Sequence, residues 1–560
     1  MNMTLLRTLP LTATIGMFAL MSFTGCDKKG TASIPKDADS RISTMAAKLP
    51  AGTEAALFVG DVAKMRTSLN DINTLSDAIP ELGATQKQVE AEIGFDPLDA
   101  NSWKQAGIPD NSALSVSFVN NRTVIMVFVE DRQKFDTMLS EKLKKAMDST
   151  EAPKAQDVGG KQVKVMGKDK EQIAWLHDGK LAIIATSVLD EKFTYGDTSG
   201  AADFVAKLPA TKEAESALKT PQFAQYTKGI TSDYSVGAFA NIQAILKNEA
   251  LRKEIEQNQD PSTKEIYDRL EKEAQIAGLG LHQNGQSFKI TALYGADEAT
   301  NKELAALGKP TAKSPFTPFA SESMLLGVRT SLNTEKLWAY YMKNLPEEQK
   351  AQIVKGLQDA GKQAQIDIEK DIINNLTGNV GIFLYGLNAG AMMGAMNNPQ
   401  KAAQSLNLAV GVQFKDAKNI TMLLDKVKAQ AGITPVEKDG VQVIMLPQEM
   451  GAIYVKDNLL VFGAKELKEA DALSLMNGKA PNGKLSGELG SQFASDAPYG
   501  GLYVNIDKVS AIVNLLAANT PVSDVLNKIG EVALTTDNTD GGEALNLRFT
   551  LKATGGAEKK

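Results

Sequence analysis

Two histidines, His177 and His282, are all that this 560-residue chain offers for imidazole acid–base work or imidazole ligation of a metal. They fall in different segments, and neither has a second ligand at i+3 or i+4 on a helix, the spacing that zinc-site motifs need. His177 stands just before Asp178-Gly179, and Lys456 stands before Asp457-Asn458 in a second copy of the same hairpin, so His177 reads as a solvated hairpin end. A histidine triad or zinc centre would need ligands from another chain. The sequence contains no G-x-S-x-G, no H-E-x-x-H and no Walker A motif, and Gly278-Leu279-Gly280 lacks the third glycine and the following helix of a dinucleotide loop. Its 67 carboxylates are spread evenly, and the separation in space that would define a glycosidase pair cannot be read from a sequence. Asp131 and Asp416 precede helical runs and read as N-caps. No motif names a reaction, and no cofactor and no metal site is expected.

One group of side chains departs from this even background. Met392, Met393 and Met396 stand among glycines and alanines between Gly386 and Ser405. Thioethers adapt to irregular apolar partners and ligate soft metals. The expected arrangement is a loop whose methionines tuck onto a sheet, with contact to an envelope protein partner through residues 386–405 as the functional alternative.

The N-terminus has a basic residue at Arg7, an apolar run from Leu9 to Met21, and Phe23-Thr24-Gly25-Cys26. The run is shorter than the roughly 20 residues that span a bilayer. Cys26 is the single cysteine, so no disulfide framework exists. This segment resembles the lipobox of bacterial lipoproteins, with Phe23 where Leu is common. The resemblance implies cleavage before Cys26, diacylglycerol and a palmitate-type acyl chain on Cys26, and anchorage to a membrane of the cell envelope. Under the enterobacterial sorting rule, Asp27 in second place favours the periplasmic face of the inner membrane over the outer membrane.

Elements that could position any site occur twice. The hairpin Gly160–Ala185 returns as Gly440–Ala464, with Asp178 on Asp457 at a shift of 279. Residues from Leu49 return from Pro318 at a shift of 268, setting Pro50 on Pro318 and Glu54 on Glu322. Asp131 and Phe135 fall on Asp416 and Ile420 at 285, and Asn241 and Ile242 on Asn505 and Ile506 at 264. Four segments in one order, about 270 residues apart, describe a duplicated domain and not a short-repeat array. The strands alternate apolar and polar residues and helices follow them closely, which predicts α+β architecture: two homologous domains with largely antiparallel sheets covered by helices. The expected limits are a signal peptide over 1–25, a lipidated tether over 26–44, repeat domains over 45–305 and 306–553, and a disordered tail over 554–560. The body also loosely resembles uncharacterised two-repeat envelope lipoprotein families, which carry no catalytic residues to transfer.

A net charge of −6 supplies no basic field for nucleic acid. These features together lead to the expectation of a membrane-anchored envelope lipoprotein acting as a non-enzymatic scaffold or binding protein. The alternatives are a carrier of an apolar ligand, with residues such as Phe239 and Tyr503 in its pocket, or a carboxylate-dependent hydrolase of envelope polymers.

Overall fold

The computed structural model describes residues 33–76, 79, 96–168, 171–187, 199–230, 233–247, 267–268, 270–308, 312–388, 405–418, 420–422, 424–425, 434–447, 450–494, 500–517 and 521–552. The chain divides into two compact units, Met1–Asp297 with Thr539–Gly542, and Glu298–Asn538 with Glu543–Lys560. The main division thus lies between Asp297 and Glu298, against the 305/306 boundary read from the sequence.

The strands of the first unit are β1 (Ala55–Val59), β2 (Leu114–Val119), β3 (Arg122–Phe128), β4 (Lys154–Val158), β5 (Lys161–Met166), β6 (Ile173–Asp178), β7 (Leu181–Thr186), β8 (Val236–Asn241), β9 (Ala274–Asn284) and β10 (Ser287–Ala296). They pair antiparallel in the order β10-β9-β8-β1-β2-β3-β7-β6-β5-β4. The second unit contributes β11 (Leu326–Ser331), β12 (Leu376–Leu387), β13 (Leu406–Phe414), β14 (Val436–Lys438), β15 (Val441–Met445), β16 (Gly451–Lys456), β17 (Leu459–Ala464), β18 (Gly500–Asn505), β19 (Ile529–Thr539) and β20 (Gly542–Leu551). Its order is β20-β19-β18-β11-β12-β13-β17-β16-β15-β14, the first order with ten added to every strand. The chain is α+β, and its two units repeat one antiparallel topology.

Backbone hydrogen bonds fix the register of the repeat and correct two of the sequence matches. Asn241 N donates to Glu54 O, and Asn505 N donates to Leu325 O. Ala217 N donates to Leu49 O, as Leu485 N does to Ala320 O. Glu54 therefore corresponds to Leu325 at a shift of 325 − 54 = 271, three residues from the 268 at which Pro50 met Pro318. In the hairpin, Asp178 pairs with Leu181 and Lys456 with Leu459. Gly179 corresponds to Asp457, a shift of 278, and both take positive φ, +61° and +52°. Both offsets are odd. Because strand side chains alternate with period two, each mismatch exchanges the inward and outward faces of every residue in its segment.

Helices cover the first sheet where their caps let them start. In α1 (Ala38–Ala46) the Asp37 carboxylate accepts from Ser40 N, in α2 (Val62–Asn73) Asp61 accepts from Lys64 N, and in α3 (Arg132–Ala146) Asp131 accepts from Lys134 N. Lys144 and Lys145 oppose the dipole at the end of α3, and Phe135, Leu139 and Leu143, four residues apart, bury one face. That face meets Trp103, Ile125, Val127, Trp175 and Ile184 in the core. Helix α1 corrects the tether assignment. Residues 38–44 are not linker: Arg41, Ile42, Met45 and Ala46 are buried, and Arg41 reaches Asp61 at 3.2 Å. The second unit builds its own core around Phe316, Phe319, Phe383, Phe493 and Tyr503. Among the described residues no helix is long and apolar enough to cross a membrane.

Candidate functional site

Among the described residues, three titratable side chains converge beneath α3. Asp136, one residue beyond the first-turn Phe135, points at the sheet with its side chain 1 % exposed. Lys164 Nζ of β5 donates to Asp136 Oδ2 at 2.8 Å, and Trp175 Nε1 of β6 donates to Oδ1 at 2.9 Å. His177 Nε2, two residues along β6 on the same face, lies 2.8 Å from Oδ1. Burial pushes the Asp136 carboxyl up, but the His177 and Lys164 hydrogen bonds and charges outweigh it and hold the group below the ordinary carboxylate range. An ionised carboxylate only accepts, so Nε2 carries the imidazole proton. Nδ1 is buried and has no hydrogen-bond partner among the described residues. Neither ring nitrogen is offered to a substrate, and the ring edge packs on Phe135 at 6.0 Å.

His177 is therefore not the solvated hairpin end expected from the sequence, since its side chain is 11 % exposed. The corrected register explains why: its counterpart is Val455, which is buried, and not Lys456. Matching the other positions sets Asp136 on Thr421, Lys164 on Ile444 and Trp175 on Ile453. In the second unit Ile444, Ile453 and Val455 belong to an apolar cluster with Ile420 and Leu424. One topology thus accommodates either a buried ionic network or hydrocarbon at this place. The network is a structural option and not an open reaction centre.

A second feature lies on the strands β2, β1, β8 and β9. Register places Phe118, Ala55, Ala240 and Ala277 directly opposite one another in one row, and Val116, Leu57, Ala238 and Leu279 in the next row on the same face. All eight are apolar. Seven are half-buried, and Leu279 is 44 % exposed. They border an open groove of about 470 Å³ whose described lining residues are all apolar. The reverse face of these strands is closed by α4 (Pro221–Gly229), whose Phe223 and Tyr226 rings meet Phe58 and Phe239 at 5.4–5.7 Å. Gly237 makes that closure feasible, because a Cβ there would come within 2.5 Å of Tyr226 Oη.

Cys26, Asp27 and the methionines Met392, Met393 and Met396 all lie outside the described residues. Asp131 is an N-cap as read, and Asp416 Oδ1 accepts from Lys418 N at 2.8 Å. Of the two aromatic residues assigned to an apolar pocket, Phe239 borders the groove while its ring packs on the reverse face, and Tyr503 is wholly buried with Oη donating to Glu531 at 2.8 Å. His282 bonds Asp233 through Nδ1 at 3.1 Å at the edge of the β9–β10 hairpin. The Asp136 network escaped sequence reasoning because its members span 41 residues and three elements. The groove could have been found from the small residues of β1, β8 and β9.

No family model matches the chain, and no curated protein matches it. Among solved structures, it is similar to three crystal forms of TP0453. Form III is 8 % identical with a TM-score of 0.23, over 45 % of this chain and 80 % of that one. Form IV is 9 % identical with a TM-score of 0.23, over 45 % and 79 %. Form I is 9 % identical with a TM-score of 0.22, over 48 % and 81 %.

Proposed function

We propose that this chain is a cell-envelope lipoprotein that works by binding and not by catalysis, held at its membrane by lipids on Cys26. The observation that carries the binding reading is the two-row apolar surface across β2, β1, β8 and β9: a sheet face with one side closed by a helix and the other only partly covered, where Leu57 and Val116 pack on the first-unit core, is suited to receive an apolar partner. The lipobox supports the anchor and Asp27 the inner-membrane address. Titration of the native full chain with N-phenylnaphthylamine tests the binding: saturable fluorescence enhancement at one site is expected, and a native protein that leaves the dye dark would overturn it. Metabolic labelling with a fatty acid tests the anchor. Cys26→Ala abolishes label and leaves the precursor uncleaved, whereas persistent label on that variant would place the lipid elsewhere. Recovery in the outer-membrane fraction, unchanged by Asp27→Ser, would remove the inner-membrane assignment.

A further inference from the structure

The repeat supplies an internal control for the groove. In the second unit the same two rows read Leu384, Leu326, Val504, Val532 and Ile382, Val328, Leu502, Leu534. At four of the eight positions the two units carry large apolar residues of similar class. At the other four, Ala55, Ala238, Ala240 and Ala277 of the first unit stand where the second has Leu326, Leu502, Val504 and Val532. The topology tolerates bulk at all of these places, so the hollow comes from side-chain choice and not from a demand of the fold.

Its shape and chemistry select an occupant. Four strands span about 14 Å and two rows about 7 Å, so the depression is long and narrow. No charged side chain is among its described lining residues, which matches an uncharged segment of the occupant. All four strands are interior in the sheet order, so no ladder edge is free for an added peptide strand. A helix of about 10 Å diameter is wider than the roughly 7 Å of the two rows, whereas a single hydrocarbon chain lies within them. We infer that the groove binds a single hydrocarbon chain of an amphiphile such as a long-chain fatty acid, with the polar end left in water. The inference rests on the binding reading above and names its ligand class.

Calorimetric titration of the full chain carrying Cys26→Ala, so that none of its own lipid competes, with octanoate, decanoate, laurate and palmitate tests this. One saturable site is expected, with affinity rising about fourfold per methylene until the groove is filled. The variant Ala55→Leu/Ala238→Leu/Ala240→Val fills the hollow with Leu or Val side chains, as the sister positions do, and should lose at least about tenfold in palmitate affinity with an unchanged circular dichroism spectrum. Gly52→Ala, outside the groove and with open space for the added methyl, should leave palmitate affinity unchanged. Should the triple variant unfold, Ala240→Val alone serves the same comparison. Undiminished binding in the filled variant would overturn the inference. Binding of cholesterol but of no fatty acid would overturn the chain assignment and leave the apolar-binding reading standing. Failure of fatty acids, cholesterol and N-phenylnaphthylamine together would overturn both.

Discussion

Replacing Asp136 and its partners by the residues of the sister unit separates what the fold requires from what the first unit has added. At 2.8 Å and an effective dielectric constant near 20, the gross attraction of Asp136 for Lys164 is about 6 kcal/mol. Burial of the carboxylate costs several kcal/mol, and Lys164, with a quarter of its side chain in water, is partly screened. The net worth of the intact network is therefore near zero, while breaking it is expensive. Asp136→Ala strands the Lys164, Trp175 and His177 donors and should cost about 3–5 kcal/mol. The set Asp136→Thr, Lys164→Ile, Trp175→Ile and His177→Val recreates the apolar arrangement and should fall within about 2 kcal/mol of the parent, the residue being the space vacated by the indole. Guanidinium unfolding followed by tryptophan fluorescence in a Trp338→Phe background, which leaves Trp103 and, outside the fourfold variant, Trp175, reports on the first unit alone. A fourfold variant as unstable as Asp136→Ala would refute the reasoning and make the network a net source of stability.

The same network sets an acid limit. The folded Asp136 carboxyl lies below its ordinary value, so its contribution is complete above the unfolded carboxylate range and is lost as pH falls through the lower folded value. Below about pH 4 the unfolding free energy of the parent should therefore fall more steeply than that of the fourfold variant, and parallel titrations would contradict this. Gly378 holds φ +88° where the β12–β13 pairing shifts register, and a Cβ there would lie 1.3 Å from Leu332 O. Gly378→Ala should cost about 2–4 kcal/mol in thermal unfolding, against less than about 1 kcal/mol for Gly52→Ala, where space is open.

Period-two patterning and turn residues made the strands legible, and order along the chain made the duplication legible. Register was not legible to a single residue. Pro50 and Glu54 look alike in Pro318 and Glu322, yet they lie in a connection whose position is set by backbone bonds to Glu215 and Gly483, not by their own side chains. Asp178 resembles Asp457 in type, but the hairpin aligns positive φ with positive φ, which puts Gly179 there. That one-residue slip carried His177 from solvent to core, and with it the only histidine–carboxylate network of α3. Helix α1 was hidden for a different reason: its charged and small residues read as tether until Arg41 is seen folded onto Asp61 and Asn111. The apolar rows were partly visible as small residues in β1 and β8, but their alignment across four strands depends on non-local pairing that no sequence window contains.

Photolabelling tests the central claim most directly. The full chain with Cys26→Ala, irradiated with a diazirine-bearing palmitate and digested, should carry label on the peptides of β1, β8 and β9, at Ala55–Val59, Val236–Asn241 and Ala274–Asn284, and lose it to excess unlabelled palmitate. Label distributed equally over Leu326–Ser331 and Gly500–Asn505 of the second unit, where bulky residues fill the corresponding rows, would contradict it.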